Sequence, residues 1–430
     1  MSPPPDRADT PQPDDRELLR SVIERLAVLP RLPTSEGERR AALMIREDLA
    51  RFGCRAGVEE TPAYSSYAWP VGLMCAGSAA ASLAAGRGHS VLGAAGAGLA
   101  LAAILDDISG WRMAFRRLLL RPRTAYNVVA VTGDPAARRT LVVLAHHDAA
   151  PSGFVFRQVL QEWLATRRPD IIEAMRTNPP MWWPVLAGPA LVSLGSATRI
   201  RALRRAGFIC SLASLAAMAD IGLRPAVPGA NDNLTGVAVL TALARALQAE
   251  PVRGLRVMLV SAGAEEALQE GIRGFARHHF AELSTDSTYF LNFDTVGSGR
   301  LVLLEGEGPV IMRDYDAGFK DLVAGCASEQ GVPLLRGLRS RNSTDGAVPL
   351  NHGYPTATLV SVDDRKLIPH YHLNTDVPAN VDLKCVVGAT RLAIAVTRRL
   401  ASSAPHSAGG QSSRSLSRIP SADASDSTVK

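Results

Sequence analysis

Five stretches of this chain place ionisable side chains where such groups can do chemistry. In LVVLAHHDAA an apolar run ends at His146, His147 and Asp148. Side chains alternate along a strand, so His146 and Asp148 share a face and His147 points away. An imidazole there can ligate a metal while the carboxylate orients it; a surface His–Asp pair is the plainer alternative. In PGANDNLTGVAVL, Asp232 stands between two asparagines in a Gly-bounded turn before an apolar helix. A carboxylate so placed can bridge two cations, with the asparagines fixing it by hydrogen bonds; the plainer alternative is a helix N-cap. RVMLVSAGAEEALQEGIRGF runs a buried strand into Glu265 and Glu266. Adjacent acids at such a point are costly unless a metal or hydrogen bonds offset their repulsion. One can bind metal while the other accepts a proton from metal-held water, the alternative being an acidic first helical turn. YFLNFDTVGSG ends another strand at Asp294, and HYHLNTD sets His370, His372 and Asp376 in a loop.

Taken together, the histidines and carboxylates form a mixed set without cysteine, which suits Zn²⁺ or a similar divalent ion in a catalytic site. The elements needed to gather them are legible. Asn127–Thr132, Leu141–Ala145, Leu255–Ser261 and Tyr289–Phe293 read as strands, with weaker candidates at Leu301–Glu305 and Thr356–Ser361. The middle runs are continuously apolar, as in strands buried on both faces. Helical spacing appears over Asp15–Phe52, where Pro30 and Pro33 divide two helices, and again over Gly236–Ala249 and Val386–Leu400. Alternating strands and helices predict an α/β domain with a mixed, largely parallel central sheet flanked by helices. Three of the candidate groups then fall at the carboxyl ends of buried strands, where open α/β sheets place their sites.

Two segments break this pattern. Val71–Leu105 and Met181–Leu223 each hold two apolar runs, around Arg87 and around RIRALRR (Arg199–Arg205) respectively. Runs of this length lie at the lower edge of what spans a bilayer, and Trp182, Trp183 and the flanking arginines suit interfacial anchors. Two apolar helical-hairpin insertions are expected, over 69–108 and 179–223, with buried or subunit-interface helices as the alternative. The charge is equally uneven. The 430 residues carry a net +6. Residues 109–205 hold 15 Arg, no Lys and 5 acids, a net +10 that leaves −4 elsewhere. This basic tract lacks interleaved aromatics and any nucleic-acid motif, so no nucleic-acid partner is expected. Hydrophobic residues make up 47% of the chain, which excludes a wholly disordered protein. Cys54, Cys75, Cys210, Cys326 and Cys385 are scattered and form no C-x-x-C, which argues against a disulfide framework or a cysteine zinc site. The polar, Pro-rich start shows no cleavable signal peptide. The expected division is a disordered lead at 1–15, a catalytic domain at 16–401 interrupted by the two insertions, and a disordered tail at 402–430.

The order and spelling of the five motifs resemble metallopeptidase family 28, the dizinc aminopeptidases and their glutaminyl cyclase and receptor relatives. AHHD is similar to that family's A-H-Y-D and GANDNLTG to its G-A/I-N-D-N-x-S-G. AGAEEALQEGIRGF, NFD and YHLNTD are similar to G-A-E-E-x-G-L-x-G-S, N-L-D and Y-H-T-x-x-D. The resemblance implies a zinc exopeptidase fold and two Zn²⁺ ions. His146 and Asp294 would hold one ion and Glu266 and His372 the other, with Asp232 bridging. It further implies Glu265 as general base, Asp148 as the partner of His146, and a peptide substrate that loses its N-terminal residue. Asp345 corresponds to a substrate-binding acid of the family, but Gly346 stands where the family has His.

Two alternatives accompany this reading: a single-zinc, glutaminyl-cyclase-like acyltransferase, and a non-catalytic membrane receptor or scaffold on the same fold. The hairpins imply a lipid bilayer as partner. RIRALRR at the second hairpin tip favours an extracytoplasmic domain by the positive-inside rule. The domain-side arginines Arg112, Arg116, Arg117, Arg121 and Arg123 favour a cytoplasmic one, which is the expectation adopted.

Overall fold

A computed structural model describes residues 13–402. The expected lead and tail lie outside the described residues except at their inner ends, where Pro13 opens the first helix and Ser402 closes the last.

The chain begins with helices α1 (Pro13–Ala27) and α2 (Glu36–Arg51) and strand β1 (Arg55–Ala63). Two apolar helices follow, α3 (Ala68–Gly86) and α4 (Ser90–Ser109), then the short α5 (Ala114–Leu119). Strands β2 (Arg123–Gly133) and β3 (Thr140–His146) lead to short helices α6 (Val159–Arg167) and α7 (Pro169–Ala174). The second apolar pair is α8 (Trp183–Ala197) and α9 (Arg201–Leu223), followed by α10 (Thr235–Ala249), β4 (Arg256–Ala262), α11 (Glu270–His279) and β5 (Thr288–Phe293). The remainder comprises β6 (Arg300–Leu303), β7 (Gly306–Glu307), β8 (Arg313–Asp314), α12 (Ala317–Glu329), β9 (Leu334–Leu335), α13 (Ala347–Asn351), β10 (Thr356–Val362) and α14 (Leu383–Ser402).

Eight strands form one sheet in the order β1-β2-β4-β3-β5-β10-β6-β9. The four central strands β4, β3, β5 and β10 run parallel, and antiparallel pairings flank them on both sides. Every residue of β3 is buried, the signature of a strand covered on both faces. One face packs on α1, α2, α10, α12 and α14 through a single large apolar cluster that includes Leu19, Ile45, Leu243, Val323 and Leu392. The other face packs on α11 through Ile272 and Phe275. Both layers hold β3 rigid and bring its carboxyl end between those of β4 and β5.

Helices α3, α4, α8 and α9 form a four-helix bundle of their own. Small residues let these helices approach closely. A Cβ on Gly207 of α9 would sit 2.6 Å from the Val192 nitrogen of α8. Ser78 and Ser211 hydroxyls bond across the interior at 3.0 Å, and Ser193 donates to Ala94 O at 2.9 Å. The outer face is apolar: Leu73, Leu83, Val91, Leu92, Leu99 and Ile209 are all exposed. Among the described residues, α3, α4 and α9 are long and apolar enough to cross a membrane. Helix α8, with 15 residues, reaches roughly 22 Å, short of a ~30 Å hydrocarbon core.

Candidate metal centre

Three adjacent strands deliver three of the motifs. β3 ends at His146; β4 runs through Gly263 and Ala264 into a single turn, Glu265–Ala267; β5 is followed directly by Asp294. Asp232 arrives on the loop before α10, and His372 on the loop between β10 and α14. His146, Asp232, Glu265, Glu266, Asp294 and His372 are all buried and line one cavity of about 180 Å³. His146 Nε2 lies 3.2 Å from Asp232 Oδ1, and His372 Nε2 lies 3.2 Å from Asp232 Oδ2. Glu266 Oε1 is 3.3 Å from His372 Nε2. One ligand atom each from His146, Asp232 and Glu266 falls within 4.8 Å of the others.

The supporting bonds explain why these groups hold their positions. Asp148 sits behind His146, with Oδ1 3.3 Å from Nδ1. It also accepts the backbone N–H groups of Glu265 and Glu266, both at 3.0 Å, and so fixes the acidic turn. His147 points the other way, as strand alternation requires, and pairs with Ser261 at 2.9 Å. Burial pulls its imidazole down to about 4, so it stays neutral.

Asp232 does not cap α10, whose N-cap position is Leu234; Asn233, one residue before it, accepts Gly236 N–H at 3.1 Å. Asn233 also accepts Thr295 N–H at 3.1 Å and donates to Phe293 O at 2.8 Å. Asn231 accepts Gly297 N–H at 2.8 Å. The two asparagines thus tie the Asp232 loop to the end of β5, where Asp294 sits, and leave the Asp232 carboxylate to face the imidazoles.

Three positioning residues escaped the sequence reading. Asp376 accepts the backbone N–H groups of Asn231 (2.8 Å) and Asp232 (3.0 Å); HYHLNTD named it without a role. Gln269 donates to Glu265 Oε1 at 2.9 Å and to Ser343 O at 3.2 Å; its place four residues after Glu265 was the available signal. Arg31, fully buried, donates to His147 O, Leu26 O, Pro228 O and Gly229 O, stitching α1 to two of the site loops. Its contacts span up to 198 residues and left no local trace. Asp345 is buried beside the cluster, with neither carboxylate oxygen hydrogen-bonded among the described residues; its neighbours Ser343 and Thr344, not Asp345 itself, line the cavity. His370 is half-buried and pairs with Thr375 rather than joining the cluster.

The electrostatics are those of an anionic cage. Burial raises Glu265 well above its usual range, and raises Glu266 as well. Burial also lifts Asp294 to about 7 and Asp345 to about 8. For His372 burial works downward, but Glu266 and Asp232 outweigh it and bring the imidazole to about 10. Burial likewise opposes the rise at His146, which Asp148 and Asp232 sustain. Asp232 is held low against its burial by the two imidazoles. Buried carboxylates in excess of nearby cations are the donor set of a divalent metal site. Glu266 Oε1, which faces the cluster, has no hydrogen-bond partner among the described residues, so the cluster is incomplete with protein atoms alone. Backbone strain concentrates here too. Of the ten non-glycine residues with positive φ among the described residues, six (Ala264, Leu268, Gln269, Thr295, His370 and His372) lie in these loops.

Comparison with known proteins agrees with this geometry. Residues 215–397 match Peptidase family M28, a segment that holds Asp232, Glu265, Glu266, Asp294 and His372 but not His146. No curated protein matches the chain in sequence. Among solved structures, BSAP, a zinc aminopeptidase from Bacillus subtilis, is 15% identical, covering 89% of this chain and 94% of its own at TM-score 0.52. The aminopeptidase of Aneurinibacillus sp. strain AM-1 is also 15% identical, covering 90% and 94% at TM-score 0.52. Tannerella forsythia glutaminyl cyclase is 15% identical over 89% and 98%, again at TM-score 0.52. At this identity the likeness is one of fold. The resemblance to metallopeptidase family 28 thus holds in sequence over residues 215–397, and the chain around them has the fold of the zinc exopeptidases.

Proposed function

We propose that this protein is a metal-dependent aminopeptidase with a dizinc site. The observation that carries the reading is the Asp232 carboxylate, which offers one oxygen to each of two imidazoles from different parts of the chain. That is the arrangement of a bridging ligand. His146 and Asp294 would hold one ion, Glu266 and His372 the other. Bound there, such ions supply Lewis acidity toward a water and the scissile carbonyl.

The chain's own residues do the rest. Glu265, held at Oε1 by Gln269, takes the water proton at its other oxygen and returns it to the leaving amine. Burial makes Glu265 a stronger base than an exposed carboxylate, which suits that exchange. Asp148 orients His146 and fixes the Glu265–Glu266 turn, and Asp376 fixes the bridging loop. The substrate is a peptide with a free amine, which the surrounding carboxylates favour as a cation.

The proposed division is a catalytic domain over 16–401 with the bundle helices as two insertions, 69–108 and 179–223. The bundle would lie in a lipid bilayer. A cytoplasmic catalytic domain rests on Arg112, Arg117, Arg121 and Arg123, which are exposed on the domain side. Arg116 does not count toward it, being fully buried against Asp107 at 2.8 Å.

The test is Glu265→Gln, assayed with a panel of aminoacyl amides and an N-terminal glutaminyl peptide. The expected result is a loss of about 10²–10⁴ in kcat with metal content retained. Wild-type activity in the variant would overturn the assignment, and cyclised product without released amino acid would point to acyl transfer instead.

A further inference from the structure

Two cavities meet at the metal cluster, and the proposed function uses only the smaller. The larger, about 470 Å³, lies between the cluster and the four-helix bundle. Glu265, Glu266, Tyr371 and His372 border both. The bundle wall of the larger cavity is chiefly a stripe of α9, formed by Cys210, Ala213, Ser214, Ala217, Met218 and Ile221, with Ile108 of α4 and Val185 of α8 beside it. Spacings of three and four place the α9 residues on one helix face. No residue that α9 contributes to this wall is charged. Tyr67 and Trp182, packed edge to face at 5.4 Å, stand at the domain end of the same wall.

Size separates the two cavities. The smaller, about 180 Å³, suits a single side chain, and its far wall includes Val302, Leu304 and Val360. The larger falls within the roughly 300–1,000 Å³ range that accommodates a whole small ligand. A hydrolase that removes one terminal residue needs a small pocket for that residue and a longer path for the remainder, and these two cavities supply that asymmetry on either side of Glu265 and Glu266.

Position gives the larger cavity its chemistry. Helix α9 presents Ile209 and Leu212 outward, both exposed, and its small apolar stripe inward. The domain-side end of the bundle carries exposed Trp69, Trp111 and Trp183, the residue type that marks a water–lipid boundary. Phe154 and Val155, beside the cavity, and Val159, Leu160 and Trp163 of α6 are exposed as well. The cavity is therefore ringed by apolar surface at the level where the bundle meets the catalytic domain.

We infer that this cavity seats an apolar chain on the leaving side of the scissile amide, so that the site processes amphiphilic peptides that partition into a bilayer. The inference rests on the hydrolase reading above. The reaction is unchanged by it: water adds across the C–N bond, its hydroxyl going to the acyl carbon and its proton to the departing nitrogen, while the apolar chain leaves with that nitrogen.

The test compares leucyl N-dodecylamide with leucyl N-methylamide, both as monomers, on the metal-loaded full chain in detergent. The expected result is a kcat/KM for the dodecylamide at least about tenfold above that for the methylamide, as burial of several methylenes allows. Ala213→Trp, at an exposed position on the cavity wall, should lower that ratio by about tenfold. Cys210→Phe, at a half-exposed position one turn earlier, provides a second variant with the same expectation. Equal kcat/KM values for the two amides, or a ratio that neither substitution moves, would overturn the inference while leaving the hydrolase reading intact. Failure to hydrolyse either amide would remove both.

Discussion

The metal cluster and the apolar bundle touch at Phe156, Tyr371 and Leu373, which share one apolar cluster with Met74, Ile104 and Ile221, yet the two are built on different rules. In the cluster a carboxylate's position is set by specific donors: two backbone N–H groups each for Asp148 and Asp376, and a side-chain amide for Glu265. A change of one atom is felt there. In the bundle, position comes from small residues in contact, and the outer surface is a field of exchangeable Leu, Val and Ile. The comparison teaches that the bundle is more than a tether. Arg116 at its foot pairs with Asp107 and donates to Ala267 O, immediately after the Glu265–Glu266 turn.

Two substitutions sharpen this contrast. Asp376→Asn replaces an acceptor of two backbone N–H groups with a side chain of which one arm is a donor. The Asp232 loop then loses a bond, and zinc affinity should fall by about 10–100-fold in a chelator-competition titration. An unchanged affinity would mean that the loop holds itself. Gly207→Leu strikes the bundle instead. Its side chain has no room beside Val192, so the expected cost is about 1–3 kcal/mol of stability, read as a lower denaturation midpoint in detergent. Zinc affinity should move less than threefold. A large loss of zinc affinity would show that bundle packing and metal site are one cooperative unit.

The two regions also differed in legibility. The cluster was readable because buried parallel strands are unbroken apolar runs, and an acid or imidazole at the end of such a run stands out. That picked out His146, Glu265, Glu266 and Asp294. Asp232 and His372 stood out less, since Asp before a helix and His in a loop are ordinary, and their placement depends on contacts far apart in sequence. Strand β1 went unread because RAGVEETPA lies at the sheet edge with an irregular burial pattern and shows no clear alternation. Two-residue strands β7, β8 and β9 carry no pattern at all. Helices α6 and α7 were missed because α6 buries no residue and so lacks an apolar stripe. In the bundle, apolar composition revealed four runs and their pairing into hairpins. It did not reveal that the two hairpins pack on each other, or that α9 forms a wall of the site cavity, since those contacts leave no period in the sequence.

The central claim is that His146, Glu266, Asp294 and His372 hold a pair of divalent ions bridged by Asp232. The direct measurement is metal stoichiometry on purified full-length protein after zinc loading and dialysis, for wild type beside Asp232→Asn. The account predicts two zinc ions per chain in wild type and one or none in the variant. Wild-type protein that retains no divalent metal, or a variant that retains as much as wild type, would contradict it.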